Sequence, residues 1–138
     1  MKYLLDTHIW LWSAIQPDRL SRRVARILAD TQNELWLSPI SIWELTILCR
    51  KGRFRIQPDI PSWVVQSVSD LQIVEAPLTI EVALTIPSIS FSHGDPADQF
   101  LAATARVFDL TLITADDHLL ALSDIHVLAN RSPRASQS

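Results

Sequence analysis

The chain has 138 residues, a formal net charge of −3, 48% hydrophobic residues and 2 glycines. That length suits one domain burying roughly two-thirds of its unfolded surface; the composition excludes a disordered or linker-like chain, and the modest negative charge excludes a global attraction to nucleic acid. A single cysteine, Cys49, excludes an internal disulfide and a zinc site of several thiolates, and leads us to expect a reducing compartment.

Residues 2–6 form an apolar run ending on Asp6 and predict a first strand. No basic region with a long apolar run precedes it, and no stretch approaches the about 18 to 20 apolar residues of a membrane span, so a cytoplasmic protein without a membrane partner is expected. A helical turn with Trp10 and Trp12 follows, then a helix from near Ser21, its N-cap, with Val24, Ile27 and Leu28 as apolar stripe. Residues 35–37 predict a short strand. Ser38-Pro39 opens a helix running to Lys51 and stopped by Gly52. It is apolar nearly all round, which predicts a central position or half of an interface. Pro58 and Pro61 precede a helix over 62–70, a strand over 72–75 and a short helix over 78–86. Residues 87–94 are loop-like, and Asp95-Pro96 starts a long helix to about Phe108. A strand over 110–113, a helix over 116–123 and an edge strand over 125–128 complete one domain over residues 1–130, with 131–138 as a flexible C-terminal tail. The alternation predicts an α/β fold, a three-layer α/β/α domain with a central parallel sheet of four to five strands, whose right-handed crossovers put every strand's carboxyl end on one edge.

Asp6 and Asp116 each close a strand on that edge, where open α/β sheets bind ligands. Glu44 and Asp98 lie inside helical patterns with apolar neighbours three and four residues on: Ile47 and Leu48, Leu101 and Ala102. That spacing turns both acids toward the core side. An ionised carboxylate taken out of water without a partner costs several kcal/mol, so four such acids argue for a bound metal. Hard oxygen ligands, with no accompanying Cys or His pair, select Mg²⁺ or Mn²⁺, ions that bridge to phosphate oxygens and polarise water.

Blander roles exist for each acid. Asp95 with Asp98, and Thr114 with Asp117, have capping-box spacing, and Asp6 can cap the turn after its strand. Glu44 lies about two turns into its helix, beyond any cap. His8, Thr114 and Asp95 can orient ligands or water, or can be surface and capping residues, and Asp117 stands with them as a supporting acid. His93, His118 and His126 are scattered and read as structural. Arg22, Arg23 and Arg26 cluster on one helix. Arg50, Lys51, Arg53 and Arg55, with Phe54 among them, can grip RNA phosphates and stack a base, or complement a helix dipole. Trp10, Trp12, Trp43 and Trp63 suit a core or a partner interface. A receiver-type or haloacid-dehalogenase-type phosphate chemistry needs a late lysine, yet the lysines are Lys2 and Lys51. The second also expects Asp-x-Asp where this chain has Asp6-Thr7-His8. No Gly-rich phosphate loop is present, which excludes nucleotide triphosphatases and Rossmann cofactors.

Four motifs then carry a resemblance across almost the whole chain: Tyr-Leu-Leu-Asp-Thr-His at 3–8, Ser-x-x-Ser-Ile-Trp-Glu at 38–44, Asp-Pro-Ala-Asp-Gln at 95–99 and Leu-Ile-Thr-Ala-Asp at 112–116. Each is short; their order and spacing resemble PIN domains, most closely VapC-type toxins of bacterial toxin–antitoxin pairs. The resemblance implies a PIN-like fold and an Mg²⁺-dependent endoribonuclease (Mn²⁺ as an alternative), with Asp6, Glu44, Asp98 and Asp116 matching the acidic quartet. Asp6 and Asp98 are then the main metal ligands, with Glu44 and Asp116 completing the site. It further implies an RNA substrate, tRNA or another structured RNA among the candidates, a homodimer, and a cognate antitoxin whose tail occupies the groove beside the site. Gln99 departs from the pattern, standing where related toxins usually carry Arg. Competing readings are a PIN nuclease for RNA processing or DNA cleavage without an antitoxin, and a catalytically silent PIN binding module.

Overall fold

The computed structural model describes residues 1–91 and 94–131. In chain order these form β1 (Lys2–Leu5), α1 (Thr7–Ile15), α2 (Arg22–Ala29), β2 (Glu34–Leu37), α3 (Pro39–Arg50), α4 (Ile60–Leu71), β3 (Val74–Glu75), α5 (Ile80–Thr85), α6 (Pro96–Val107), β4 (Thr111–Thr114), α7 (Asp117–Leu120) and β5 (His126–Ala129). Short 3₁₀ turns lie at Pro17–Arg19 and Ile86–Ser88.

The alternation of apolar residues along each strand builds two cores, because successive side chains leave opposite faces of a sheet. Tyr3, Leu5, Leu35, Leu37 and Ile113 join Ile9, Trp10, Val24, Leu45 and Val64 from α1 to α4 on one face. Leu4 and Leu112 join Val82, Leu101, Ala102, Ala105 and Leu119 from α5 to α7 on the other. A strand buried on both faces must be apolar throughout, which is why β1 and β4 show no polar alternation. The buried Trp10 satisfies its indole N–H by donating to Ser67 Oγ at 2.8 Å, tying α1 to α4.

The sheet order is β3-β2-β1-β4-β5 and every neighbouring pair is parallel. The chain leaves β1 toward β2 and β3, then crosses back so that β4 lies on β1's other side. That reversal opens a crevice at the carboxyl ends of β1 and β4. The expected three-layer architecture and parallel sheet are present, with five strands in the described residues.

Several boundaries differ from expectation. Helix α4 starts before 62, because Asp59 caps it by accepting from Ser62 N at 2.8 Å and Pro61 sits within its first turn. β3 is shorter than 72–75, because Gln72 is the left-handed cap of α4 at φ 52°. The helix expected over 116–123 contracts to Asp117–Leu120. Gly52 stops α3 at φ 73°, a left-handed conformation that costs glycine little. Of the α3 side chains, Ser41 and Leu45 are buried while Trp43 is 50% exposed, so this helix is not central; its outer face is open. The tail at 132–138 and His93 lie outside the described residues. Among the described residues no helix is long and apolar enough to cross a membrane.

Candidate active site

The strand edge positions the first two acids. Asp6 follows β1, donates its backbone N–H to Ile113 O at 3.0 Å and caps α1, its Oδ1 accepting Thr7 N–H at 2.7 Å. Asp116 follows β4 by two residues and caps α7, accepting His118 N–H at 2.8 Å. Thr114 joins them: its hydroxyl donates to Asp6 Oδ2 at 2.6 Å and accepts Asp116 N–H at 3.0 Å. The expected capping box of Thr114 with Asp117 is therefore not formed. The strand runs through Thr114, so its side chain faces the next strand's carboxylate and the cap passes to Asp116.

Two helices bring the remaining acids. Asp98 lies in the first turn of α6, where the helix N-terminus favours negative charge, and is 6% exposed. Asp95 caps the same helix through Ala97 N–H at 3.0 Å, two residues on rather than the three of a capping box. Glu44, in the middle of α3, is held by the Thr7 hydroxyl, which is also hydrogen-bonded to Ser41 Oγ at 2.8 Å. Ser41 lies one helical turn before Glu44, so Thr7 and Ser41 orient that carboxylate together. The reading that Glu44 turns toward the core is half right: it is only partly buried and faces the cleft.

A cleft of about 320 Å³ gathers these groups: Asp6, His8, Trp12, Glu44, Asp95, Asp98 and Asp116 line it. All four expected acids thus share one opening with Asp95 and His8. Asp117 does not: it is exposed and paired with Arg131. Arg53 and Arg55 line a neighbouring cleft, while Arg50 and Lys51 are exposed outside both. Gln99 is absent from the lining, and His126 lies at the opposite end of the sheet beside Met1 and Lys2. His118 is exposed on α7, its Nδ1 3.4 Å from Asp116 Oδ1. Thr7 and Ser41 stand in the motifs at 3–8 and 38–44, but the sequence assigned neither a role at the site. The available signal was Thr7 directly after a strand-end acid and Ser41 three residues before Glu44.

Burial dominates the electrostatics. It pushes the Asp6 carboxyl up, helped by the Asp116 charge and opposed by the hydrogen bonds from Thr114 and Thr7 and by His8. Burial also raises Glu44 to about 7, against the Thr7 hydrogen bond and with the help of Asp6 and Asp95. Burial and neighbouring like charges thus act in the same direction on both carboxyls. Among the described residues no three His, Cys, Asp or Glu side chains are drawn to metal-ligand spacing; the acids share the cleft walls without converging on one point. The donor set nevertheless fits a hard divalent ion, since the acids on those walls supply only carboxylate oxygens.

Comparison with known proteins agrees with this geometry. The PIN domain family model matches residues 3–125. Ribonuclease VapC22 of Mycobacterium tuberculosis is 33% identical over 117 residues, covering 84% of this chain and 88% of that protein. The VapBC2 complex of Rickettsia felis bound to a promoter DNA fragment superposes with a TM-score of 0.70 at 15% identity, covering 94% of this chain and 98% of the other. FitAB bound to an IR36 DNA fragment superposes at 0.60 with 24% identity, covering 94% and 95%, and VapBC-5 of M. tuberculosis at 0.58 with 17% identity, covering 94% and 98%. Motif order, sheet topology and the family match over nearly the whole length agree, and the chain belongs to the PIN-domain family.

Proposed function

We propose that this protein is the ribonuclease toxin of a toxin–antitoxin pair, an endoribonuclease that hydrolyses RNA phosphodiester bonds with Mg²⁺ or Mn²⁺. The observation that carries the reading is that Asp6, Glu44, Asp98 and Asp116 line one open cleft at the reversal point of a parallel sheet. A relative named as a ribonuclease at 33% identity, and structural neighbours that are VapBC complexes, support it.

In this reading Asp6 and Asp98 hold the ion, with Glu44 and Asp116 completing its shell or holding a second one. A bound Mg²⁺ or Mn²⁺ supplies charge neutralisation at the phosphoryl oxygens and a more acidic water. The chain's residues set the geometry. Thr114 fixes Asp6 relative to Asp116, and Thr7 with Ser41 keeps Glu44 directed into the cleft. The carboxylates lining the cleft are the groups that can take the proton of the attacking water, and the leaving 3′ oxygen regains one as it departs. Water oxygen bonds to phosphorus, the bond to the 3′ oxygen breaks, and that oxygen leaves as a hydroxyl with a 5′-phosphate on the other product. His8 and Asp95 orient groups at the cleft mouth, while Asp117, exposed and paired with Arg131, stands outside it. Arg50, Lys51, Arg53 and Arg55 contact backbone phosphates.

The cognate antitoxin inserts a tail into the groove beside the acids. The toxin acts as a cytoplasmic homodimer, a pairing supported by exposed Ile80 and Leu84 on α5. The chemistry is tested on the product ends of a cleaved RNA. Metal-dependent 5′-phosphate and 3′-hydroxyl ends are expected; cyclic 2′,3′-phosphate ends formed in the presence of a chelator would reject it.

A further inference from the structure

Beside the acid cleft lies a second one, of about 500 Å³, lined by His8, Trp12, Arg19, Arg53, Phe54 and Arg55 among others. We propose that this second cleft is a subsite for one unpaired nucleotide of single-stranded RNA, its base stacked on Trp12 and Phe54 and its phosphate held by the arginines. The inference rests on the reading of the acid cleft as a phosphodiesterase site and adds where its substrate continues.

Three observations carry it. The two clefts share His8 and Trp12 as a common wall, so a strand whose phosphate lies at the acids passes directly into the second opening. The rings form a graded aromatic surface: His8 lies 5.5 Å from Trp12 and 6.3 Å from Phe54, centroid to centroid, both tilted. Among the described residues none of Arg19, Arg53 or Arg55 makes an ion pair; Arg53 and Arg55 are exposed at the cleft, and Arg19 packs over the Trp12 ring, from which a phosphate can draw it.

A helix-end role accounts for only part of this cluster. Arg53 and Arg55 follow the end of α3, but Arg19 comes from the 3₁₀ turn at Pro17–Arg19 and stands 4.6 Å above the Trp12 ring. Its backbone is held there, Arg19 O accepting from Asn130 Nδ2 at 3.1 Å. Cations from two separate segments therefore flank an aromatic surface next to a carboxylate site. Aromatic faces offer stacking to a base that is not paired, and arginines offset the repulsion that the acids exert on a phosphodiester. A duplex hides its base faces and gains nothing from the rings. An acidic peptide would satisfy the arginines but leave the ring faces without a stacking partner, and an antitoxin tail in the groove beside the acids would compete with the nucleotide for this cleft.

The test uses an eight-nucleotide single-stranded RNA with 2-aminopurine at its centre, titrated in Ca²⁺ buffer with its integrity checked on a gel. Wild-type protein is expected to bind it with quenching of the probe, while a duplex of the same sequence shows no quenching. Trp12→Leu and Phe54→Leu each weaken binding by about tenfold or more and relieve the quenching. Because both side chains also touch the core, Arg19→Gln and Arg53→Gln/Arg55→Gln provide exposed alternatives, expected to weaken binding and flatten its salt dependence. Wild-type binding without quenching, or unchanged affinity in all these variants, overturns the subsite. Failure of the RNA to bind also overturns it and leaves the cleft to a protein segment. The nuclease reading is judged separately: quenched binding by a protein that never cuts RNA sustains the subsite and removes the phosphodiesterase.

Discussion

Two threonines do most of the positioning at the residue scale. Thr114 donates to Asp6 and receives Asp116 N–H, so the ends of two strands share one hydroxyl; the Thr7 hydroxyl ties the start of α1 to the Glu44 and Ser41 side chains of α3. These bonds favour the ionised acids, yet burial outweighs them, and both Asp6 and Glu44 titrate above their usual range. The sign of the resulting pH dependence follows. Glu44 rises from 4.5 to about 7, so the folded protein holds a proton that the unfolded chain releases. Stability from this group is full below about 4.5 and is lost as pH rises through about 7, and Asp6 acts in the same direction. Asp59, lowered by its bonds to Ser62, titrates below 3.8 and stays out of that window. Metal-free protein is therefore expected to unfold a few degrees lower at pH 8 than at pH 5, measured by circular dichroism. Glu44→Gln should flatten the difference and Mg²⁺ should reverse it; a wild-type midpoint that climbs with pH over this range would contradict the electrostatics.

At the element scale, short polar caps start the helices: Ser21, Ser38, Asp59, Thr79 and Asp95 each accept from a backbone N–H in the first turn. Ser21, Ser38 and Asp95 were legible because each precedes a recognisable periodic run. Asp59 was not, because a proline two residues on reads as punctuation although the first helical turn tolerates it. Helix α5 shows what periodicity leaves unsaid. Val82 is buried, while Ile80 and Leu84, four residues apart on one face, are 81% and 73% exposed. If that face closes the homodimer, sedimentation should show wild-type dimers at micromolar concentration and Ile80→Lys/Leu84→Lys monomers that keep their helical signal. A variant that remains dimeric would place the interface elsewhere.

For the whole molecule, the sheet reversal at β1 explains why four acids separated by up to 110 positions share one cleft. The architecture was legible because apolar runs are local signals; Asp6 and Asp116 stood out as strand-end carboxylates, and Glu44 and Asp98 as acids with apolar neighbours three and four residues on. Contacts between segments were not: the Thr114–Asp6 bond spans 108 positions, and Arg19 meets Trp12 only because a 3₁₀ turn folds back over α1. The cleft joins carboxylates that burial holds above their usual pKa to a neighbouring surface of arginines and rings, an arrangement suited to drawing in a phosphodiester once a cation is present. The measurement that bears most directly on this site is cleavage of total RNA and a tRNA pool by purified protein across an Mg²⁺ and Mn²⁺ titration, beside folded Asp6→Asn and Asp98→Asn proteins. Metal-dependent cutting that falls by about a hundredfold or more in both variants is the expected result; cutting that survives in both, or that ignores the metal, would contradict the acid cleft as the site of catalysis.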